Sequence, residues 1–296
     1  MSPLDALRHG AAFTDRGYAT TAVAGTTVVI VDPCRHPLAV WVATGPSVLT
    51  YSRAGRRAGV IASNGPLMGR RLIGVGQVTK RTLVAATAVS GVAGALAGGA
   101  RTGASRRLIT SAAGGMIGSV LGAATLLRRW EPCGQIVRDG RRSLRTFDDE
   151  GPRHSHLASV GAGFEGLVIG DGHPPDGALA GMGGLVRLVR GGVAVTTFDG
   201  DGLARGSARP AVGWGLVPTG PGEGLVVVAG GSAADGADPD LRRLAELMVS
   251  LGVVDAVATD PSGCAMLSTG GRHLIRPPAP HRRAIQRVGL CCGPVR

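Results

Sequence analysis

Outside residues 66–130, the chain consists of short apolar runs rich in β-branched residues, and glycine-containing turns separate these runs. Runs of this kind are typical of β-strands. Two of them flank the proline-containing turn at residues 32–37, and together they predict a β-hairpin over residues 26–43. Further strands are predicted at residues 60–63, 133–137, 166–169, 192–198, 209–214, 224–230 and 255–259.

One amphipathic helix is predicted between the last two of these strands. Asp238 has the side chain of an N-cap, Pro239 suits the first helical position, and Gly252 provides a stop. Apolar residues recur on one helical face, at Leu241, Leu244, Ala245, Met248 and Leu251. The helix therefore leads into the strand at 255–259, and that strand ends at Asp260.

Residues 82–100 and 108–127 contain no charged side chain, and basic residues flank both segments. Each has the length that a helix needs to cross a bilayer, about 20 residues. Small residues recur at every fourth position, a spacing that lets helix backbones approach closely, at Ser90, Gly94, Gly98, Gly114, Gly118 and Gly122. The pattern predicts a glycine-zipper helical hairpin. Two placements stay open: a membrane or self-association interface formed by residues 82–127, or packing against the protein's own body.

The predicted fold class is therefore α+β, a β-rich domain that a glycine-zipper helical hairpin interrupts. A chain of 296 residues is long enough to bury a core of its own. The domain would comprise residues 1–65 and 131–275, and the insertion residues 66–130. Residues 276–296 would form a basic, proline-rich tail.

The chain carries 32 Lys and Arg against 20 Asp and Glu, which gives a formal net charge of +12. An excess of this size favours polyanionic surroundings, such as nucleic acid, anionic lipid or phosphorylated sugar. A GC-rich genome gives the same Arg-rich and Gly-rich composition, so charge alone does not choose a partner. Nucleic acid is not the expected partner, because the arginines are scattered and the aromatic residues that stack on bases are only 3% of the chain.

The five cysteines include no Cys-x-x-Cys pair, so neither a zinc site nor a disulfide scaffold is expected. His154 and His156 have a spacing that could hold a metal on a strand, but the sequence offers no evident third ligand. We therefore expect no metal and no cofactor. Acidic residues and arginines occupy the N-terminal stretch where a signal peptide needs apolar residues, so no secretion signal is expected and the localisation stays open.

Five segments match, in order, the motifs of a known family. Residues 60–65 form a strand ending in Asn-Gly, 133–140 a hairpin ending in Asp-Gly, and 182–191 a glycine-bounded apolar strand. Residues 209–213 read Arg-Pro-Ala-Val-Gly, and 241–267 combine a helix, Leu-Gly, a strand and an Asp-containing turn. In this order they resemble the phosphodiester glycosidase family.

The resemblance implies hydrolysis of the bond between the anomeric carbon of a sugar and a phosphodiester oxygen, so the expected partner is a phosphate-linked sugar. The catalytic residues that it implies are Asp260, Arg209 and Asn64. Arg209 would hold the phosphate, Asp260 would stabilise the oxocarbenium-like sugar or activate water, and Asn64 would bond sugar hydroxyls. The implied substrate-binding residues are Gly65, Ser262, Gly263 and Cys264.

The turn at residues 260–264 departs from the family pattern. It reads Asp-Pro-Ser-Gly-Cys instead of Asp-Gly-Gly-Gly-Ser, and Thr259 precedes it where the family has an apolar residue. Loss of two glycines restricts close approach of the backbone to substrate, and Pro261 removes an N–H group. The alternative function is a non-enzymatic structural or membrane-associated protein that uses the helical hairpin for insertion or self-association.

Overall fold

The structure is a computed structural model. It describes residues 16–42, 56, 59–72, 128–142, 154–196, 211–231, 241–261, 265–276 and 288–293. The contacts divide the chain into two compact units, residues 1–68 with 132–296, and residues 69–131. The predicted assignment of residues 1–65 and 131–275 to one family domain stays a prediction.

An 11-stranded antiparallel sheet dominates the first unit. Its strands are β1 (Tyr18–Val23), β2 (Thr26–Val31), β7 (Ile136–Arg138), β8 (Arg141–Arg142), β9 (Ser155–Ser159), β10 (Leu167–Asp171), β11 (Ala180–Arg190), β12 (Val193–Ala194), β13 (Val212–Gly220), β14 (Glu223–Gly231) and β15 (Asp255–Ala258). The main path runs β1-β2-β14-β13-β15-β11-β7-β8, while β9 and β12 also pair with β11 and β10 pairs with β9. The short strand β15 therefore lies in the middle of the sheet.

A second, five-stranded sheet has the order β17-β16-β4-β18-β3. Its strands are β3 (Leu38–Val42), β4 (Ile61–Ser63), β16 (Leu267–Thr269), β17 (Arg272–Ile275) and β18 (Val288–Cys292). All of its pairings are antiparallel. In the other unit, the described residues form a two-stranded sheet of β5 (Met68–Leu72) and β6 (Arg128–Pro132).

The first unit is layered. Apolar side chains from one face of the large sheet, among them Trp214 and Val257, form one cluster with Ile61, Leu267 and Leu290 of the small sheet. Helix α1 (Leu241–Ser250) covers the other face of the large sheet. Strands β13 to β15 are buried on both faces, which is why they consist of near-continuous apolar residues instead of an alternating pattern.

The predicted helix and its stop are confirmed within the described residues. Leu244, Ala245 and Met248 are buried against the sheet. Gly252 adopts a positive φ of 78°, and the N–H of Val253 donates to the carbonyl of Met248 at 3.1 Å, which closes the helix with a Schellman-type cap. The predicted N-cap residues lie outside the described ranges.

The hairpin predicted over residues 26–43 is wrong. Both strands exist, but β2 pairs with β1 and β14, whereas β3 pairs with β18 in the other sheet. The turn that forms the hairpin is instead Ala24-Gly25, where both residues have positive φ, so the chain reverses in two residues. The longer, proline-containing segment 32–37 carries the chain from one sheet to the other.

The predicted α+β class is also wrong, because the described residues build almost all of their regular structure from strands and contain one ten-residue helix. No glycine-zipper helical hairpin is present among them, and the segments on which that prediction rests, 82–100 and 108–127, lie outside the described ranges. Within the described residues no helix is both long enough and apolar enough to span a bilayer. The α component was predicted from the charge-free length and small-residue spacing of those segments together with the amphipathic helix, whereas strands supply most of the core of the described residues.

The two cysteines of β18 provide a test of this core. Cys291 and Cys292 are buried, and burial raises the pKa of the Cys291 thiol to about 12 and also raises that of Cys292. Because thiolates are the reactive form, we expect iodoacetamide at pH 8 to label the exposed Cys34 and to leave both buried thiols unmodified until urea unfolds the protein. Peptide mapping by mass spectrometry measures this. Native labelling of Cys291 and Cys292 as fast as that of Cys34 would contradict the fold.

Candidate functional site

The ends of two strands from different sheets meet at the predicted site. Asn64 directly follows β4, and Asp260 follows β15 after one intervening residue. The backbone N–H of Asp260 donates to the carbonyl of Gly65 at 3.0 Å, and the N–H of Asn64 donates to the carbonyl of Met266 at 3.2 Å. The structure therefore brings together residues that the resemblance had grouped, although 196 positions separate Asn64 from Asp260.

The side chain of Asn64 ties this junction together. It is fully buried, at 0% exposure. Its Nδ2 donates to the backbone carbonyl of Asp260 at 3.1 Å, and its Oδ1 accepts from the N–H of Met266 at 3.1 Å. A buried amide with these two bonds holds the backbone of Asp260 and of Met266 against the end of β4.

Thr259 completes the hydrogen bonding of Asn64. Its Oγ1 lies 2.9 Å from Asn64 Oδ1 and 3.3 Å from the carbonyl of Val212, and its N–H donates to that same carbonyl at 2.9 Å. The threonine at this family-divergent position therefore has a structural explanation, since an apolar side chain could not bond the amide. Sequence reasoning noted the substitution but did not identify its partner.

A second polar contact joins the sheets beside Asn64. Trp214 of β13 donates from Nε1 to Ser63 Oγ at 2.9 Å, and Ser63 Oγ donates to the carbonyl of Asn64 at 3.1 Å. Trp41 of β3 donates from Nε1 to the carbonyl of Ser63 at 2.9 Å. Both indole N–H groups thus have hydrogen-bond acceptors in the core, and these bonds hold the backbone of Ser63 and Asn64 in place. Sequence analysis missed Ser63, Trp41 and Trp214, because only the fold brings them together.

Asp260 itself is half-buried, while its neighbour Pro261 is buried. Its backbone N–H and carbonyl are both bonded, to Gly65 and to Asn64. The backbone that carries the Asp260 carboxylate is therefore held just beyond the end of a central strand. A carboxylate can stabilise a nearby positive charge or accept a proton from water.

Glycines on neighbouring segments let the chain cross close to this site. Gly184 adopts a φ of 73°, and a Cβ there would lie 2.8 Å from the backbone nitrogen of Gly134 and 3.2 Å from Pro66. A Cβ on Gly134 would in turn overlap the backbone of Gly184. The Gly184 carbonyl accepts from the N–H of Leu67 at 2.9 Å, so this crossing supports the segment that follows Asn64.

Of the remaining predicted site residues, Gly65 is among the described residues and its carbonyl accepts the N–H of Asp260. Arg209 and the substrate-binding candidates Ser262, Gly263 and Cys264 lie outside the described residues, whereas Gly65 is described and buried. No group of three or more His, Cys, Asp or Glu side chains suited to a metal occurs among the residues that the structure describes. A cavity of about 570 Å³ lies elsewhere, between β3 and the β7–β8 turn, and neither Asn64 nor Asp260 lines it.

No protein-family model and no curated protein matches the sequence. Among solved structures, the catalytic domain of zebrafish N-acetylglucosamine-1-phosphodiester alpha-N-acetylglucosaminidase, auto-inhibited by its pro-peptide, matches with a TM-score of 0.50 and 13% identity over 94% of this chain and 82% of that chain. A hypothetical protein from Synechocystis has a TM-score of 0.48 and 12% identity, over 93% and 61% of the two chains. A putative exported protein from Burkholderia pseudomallei has a TM-score of 0.45 and 11% identity, over 91% and 74%. The first of these likenesses shows a distant relationship of fold.

The hydrogen bonds of Asn64 make its removal costly. Asn64→Ala leaves the Met266 N–H and the Asp260 carbonyl without their amide partner, while the Thr259 hydroxyl keeps the carbonyl of Val212. At about 1–3 kcal/mol for each unsatisfied group, we expect a loss of at least roughly 2 kcal/mol in the free energy of unfolding. Thr259→Val is the matched control: it removes one hydroxyl at nearly constant shape and should cost about 1 kcal/mol. Urea unfolding measures both losses, provided the slope stays unchanged. A loss for Asn64→Ala no larger than that for Thr259→Val would contradict the assigned network.

Proposed function

We propose that this protein is a glycosidase that hydrolyses the bond between a sugar's anomeric carbon and a phosphodiester oxygen, with its reaction centre at Asp260. The observation that carries the proposal is the convergence of the segment after β4 with the turn after β15. Those two segments were grouped from their motifs alone, and they are in hydrogen-bonded contact in the fold.

The distant fold relationship gives independent support. The solved domain with a TM-score of 0.50 is named as the catalytic domain of an N-acetylglucosamine-1-phosphodiester alpha-N-acetylglucosaminidase. At 13% identity the likeness concerns the fold, so the activity proposed for this chain rests on its own site residues together with that fold. The sugar and the group on the far side of the phosphate are left open.

The reaction needs little from the protein in the way of acid catalysis. Water attacks the anomeric carbon, the bond from that carbon to the phosphodiester oxygen breaks, and the products are free sugar and a phosphomonoester, with the proton of water released. Because a phosphate group leaves readily, the main requirement is to stabilise the oxocarbenium-like sugar and to direct the water. Asp260, fixed through its backbone, supplies a carboxylate for either role. Arg209 remains the proposed cation for the phosphate.

In this proposal Asn64 acts as a positioning residue. Its buried amide bonds the backbone carbonyl of Asp260, the N–H of Met266 and the hydroxyl of Thr259. These bonds set the direction in which the Asp260 turn leaves the sheet. The amide thus acts on the reaction through Asp260, instead of by touching a sugar hydroxyl.

Removal of the Asp260 carboxylate tests the proposal. We expect purified protein to release free sugar from at least one member of a panel of sugar phosphodiesters that includes nucleotide sugars, and Asp260→Asn to lower the rate by roughly 100-fold or more, as loss of a positioned general base does. Liquid chromatography of the released sugar and phosphomonoester measures the rate.

Asp176→Asn is the matched control, because the Asp176 side chain is 99% exposed and forms a surface ion pair with Arg142. It should leave the rate unchanged. Thermal unfolding of all three proteins establishes that they are folded. Equal rates for Asp260→Asn and the unaltered protein would overturn the assignment of the reaction centre. Absence of release from every substrate by folded protein would overturn the enzymatic proposal.

A further inference from the structure

His156 is a buried titratable residue that the candidate site does not use. It lies on β9 with 6% of its surface exposed, and neither ring nitrogen makes a hydrogen bond of normal geometry. Its ring lies against Gly170 of β10, where a Cβ would be 2.7 Å from the ring carbon Cε1. Among the described residues, only the backbone of Gly172 and Asp171 interacts with the ring nitrogens, without the geometry of a normal hydrogen bond, and the space has no room for a larger neighbour at position 170.

The pairing of β9 with β11 is interrupted opposite this histidine. Leu157 pairs with Met182 and Ser155 pairs with Leu185, so Gly183 and Gly184 together face His156 across the ladder. This β-bulge includes the glycine that crosses close to the Asn64 segment. His156 thus lies at the point where the regular hydrogen bonding between β9 and β11 is interrupted.

The charged groups around His156 already have partners of their own. On β10, the Asp171 carboxylate accepts two bonds of 2.8 Å from Arg190 and one of 3.2 Å from Ser155. On β11, Arg187 forms an ion pair with Asp255 of β15, and its NH1 is buried without a hydrogen-bond partner. The guanidinium charge of Arg187 would therefore repel an imidazolium, and the Asp171 carboxylate that attracts it is already bonded by Arg190 and Ser155.

Burial lowers the pKa of His156 and the positive charge of Arg187 lowers it further, while the backbone of Gly172 and Asp171 and the Asp171 carboxylate partly oppose this. A histidine whose pKa is lower in the folded than in the unfolded protein is neutral in the fold. The unfolded or opened form then binds the proton more tightly, so the fold loses stability as the pH falls below about 6.5, the ordinary pKa of histidine. Above that pH the ring is neutral in both the folded and the unfolded protein, so His156 no longer makes the stability depend on pH.

We propose that His156 makes the β9–β10 hairpin an acid-sensitive element, which opens when the buried imidazole takes up a proton. Opening carries the imidazolium into water and releases β9 from the bulge of β11. At the same time, the close contact of Gly184 with Gly134 and Pro66, next to Asn64, loses the support of β9. The proposal concerns the opening itself and does not depend on the proposed glycosidase activity.

Hydrogen–deuterium exchange of the full chain tests it. We expect the amides of residues 155–171, after correction for the intrinsic exchange rate at each pH, to open up to about tenfold more often at pH 5.5 than at pH 7.5. His156→Gln cannot take up the proton and should lose this increase. His156→Leu provides a second uncharged variant in case the first does not fold.

His154→Gln is the matched control, because it removes a histidine two residues away in the same segment. It should keep the increase of the unaltered protein. Two results would overturn the proposal: opening of residues 155–171 that is the same at both pH values in the unaltered protein, or an equal increase in a folded His156 variant. A loss of sugar release with normal exchange behaviour would bear on the glycosidase proposal alone.

Discussion

The buried amide of Asn64 joins the two sheets of this protein at the point where its candidate site lies. With no exposure to water, the amide must find its partners inside the fold, and it finds them on the backbone of Asp260 and Met266 and on Thr259. The bonds to Asp260 and Thr259 form only when the end of β4 lies beside the end of β15. The hydrogen bonds that satisfy this buried amide therefore also fix the position of the Asp260 backbone.

The sequence allowed the local structure to be predicted far better than its pairing. Glycine turns and β-branched runs place β4, β14 and β15 close to their observed bounds, and helix α1 stops at Gly252 as expected, whereas β13 continues six residues beyond the predicted 209–214. Strand partners depend on contacts between distant parts of the chain, so the hairpin over residues 26–43 was assigned to the wrong pairing. The α+β class was predicted from the amphipathic helix and the expected helical hairpin, but the described residues contain one helix, of ten residues, and form three sheets.

For the site, motif order predicted that the Asn64 and Asp260 segments meet, but not how. The role of Thr259 depends on a partner 195 positions away. Trp214 and Ser63 are separated by 151 positions. Neither contact can be predicted from the residues that are its neighbours in the sequence. His156 differs: its spacing from His154 is that of a possible metal ligand, whereas in the fold it is buried opposite the bulge, where taking up a proton is unfavourable. Similarly, the close approach of Gly134 and Gly184 depends on how two distant backbone segments pack, so the sequence does not predict it.

Amide exchange at the two turn positions bonded to the end of β4 tests the central claim most directly. The N–H groups of Asp260 and Met266 donate to Gly65 and to Asn64. If this junction holds the sheets together, both protons exchange as slowly as those of Val257 in the centre of β15, because all three then exchange only when the core opens. Residue-resolved NMR exchange at neutral pH gives the comparison. Exchange of the Asp260 and Met266 protons at rates close to those of an unprotected loop would contradict the account.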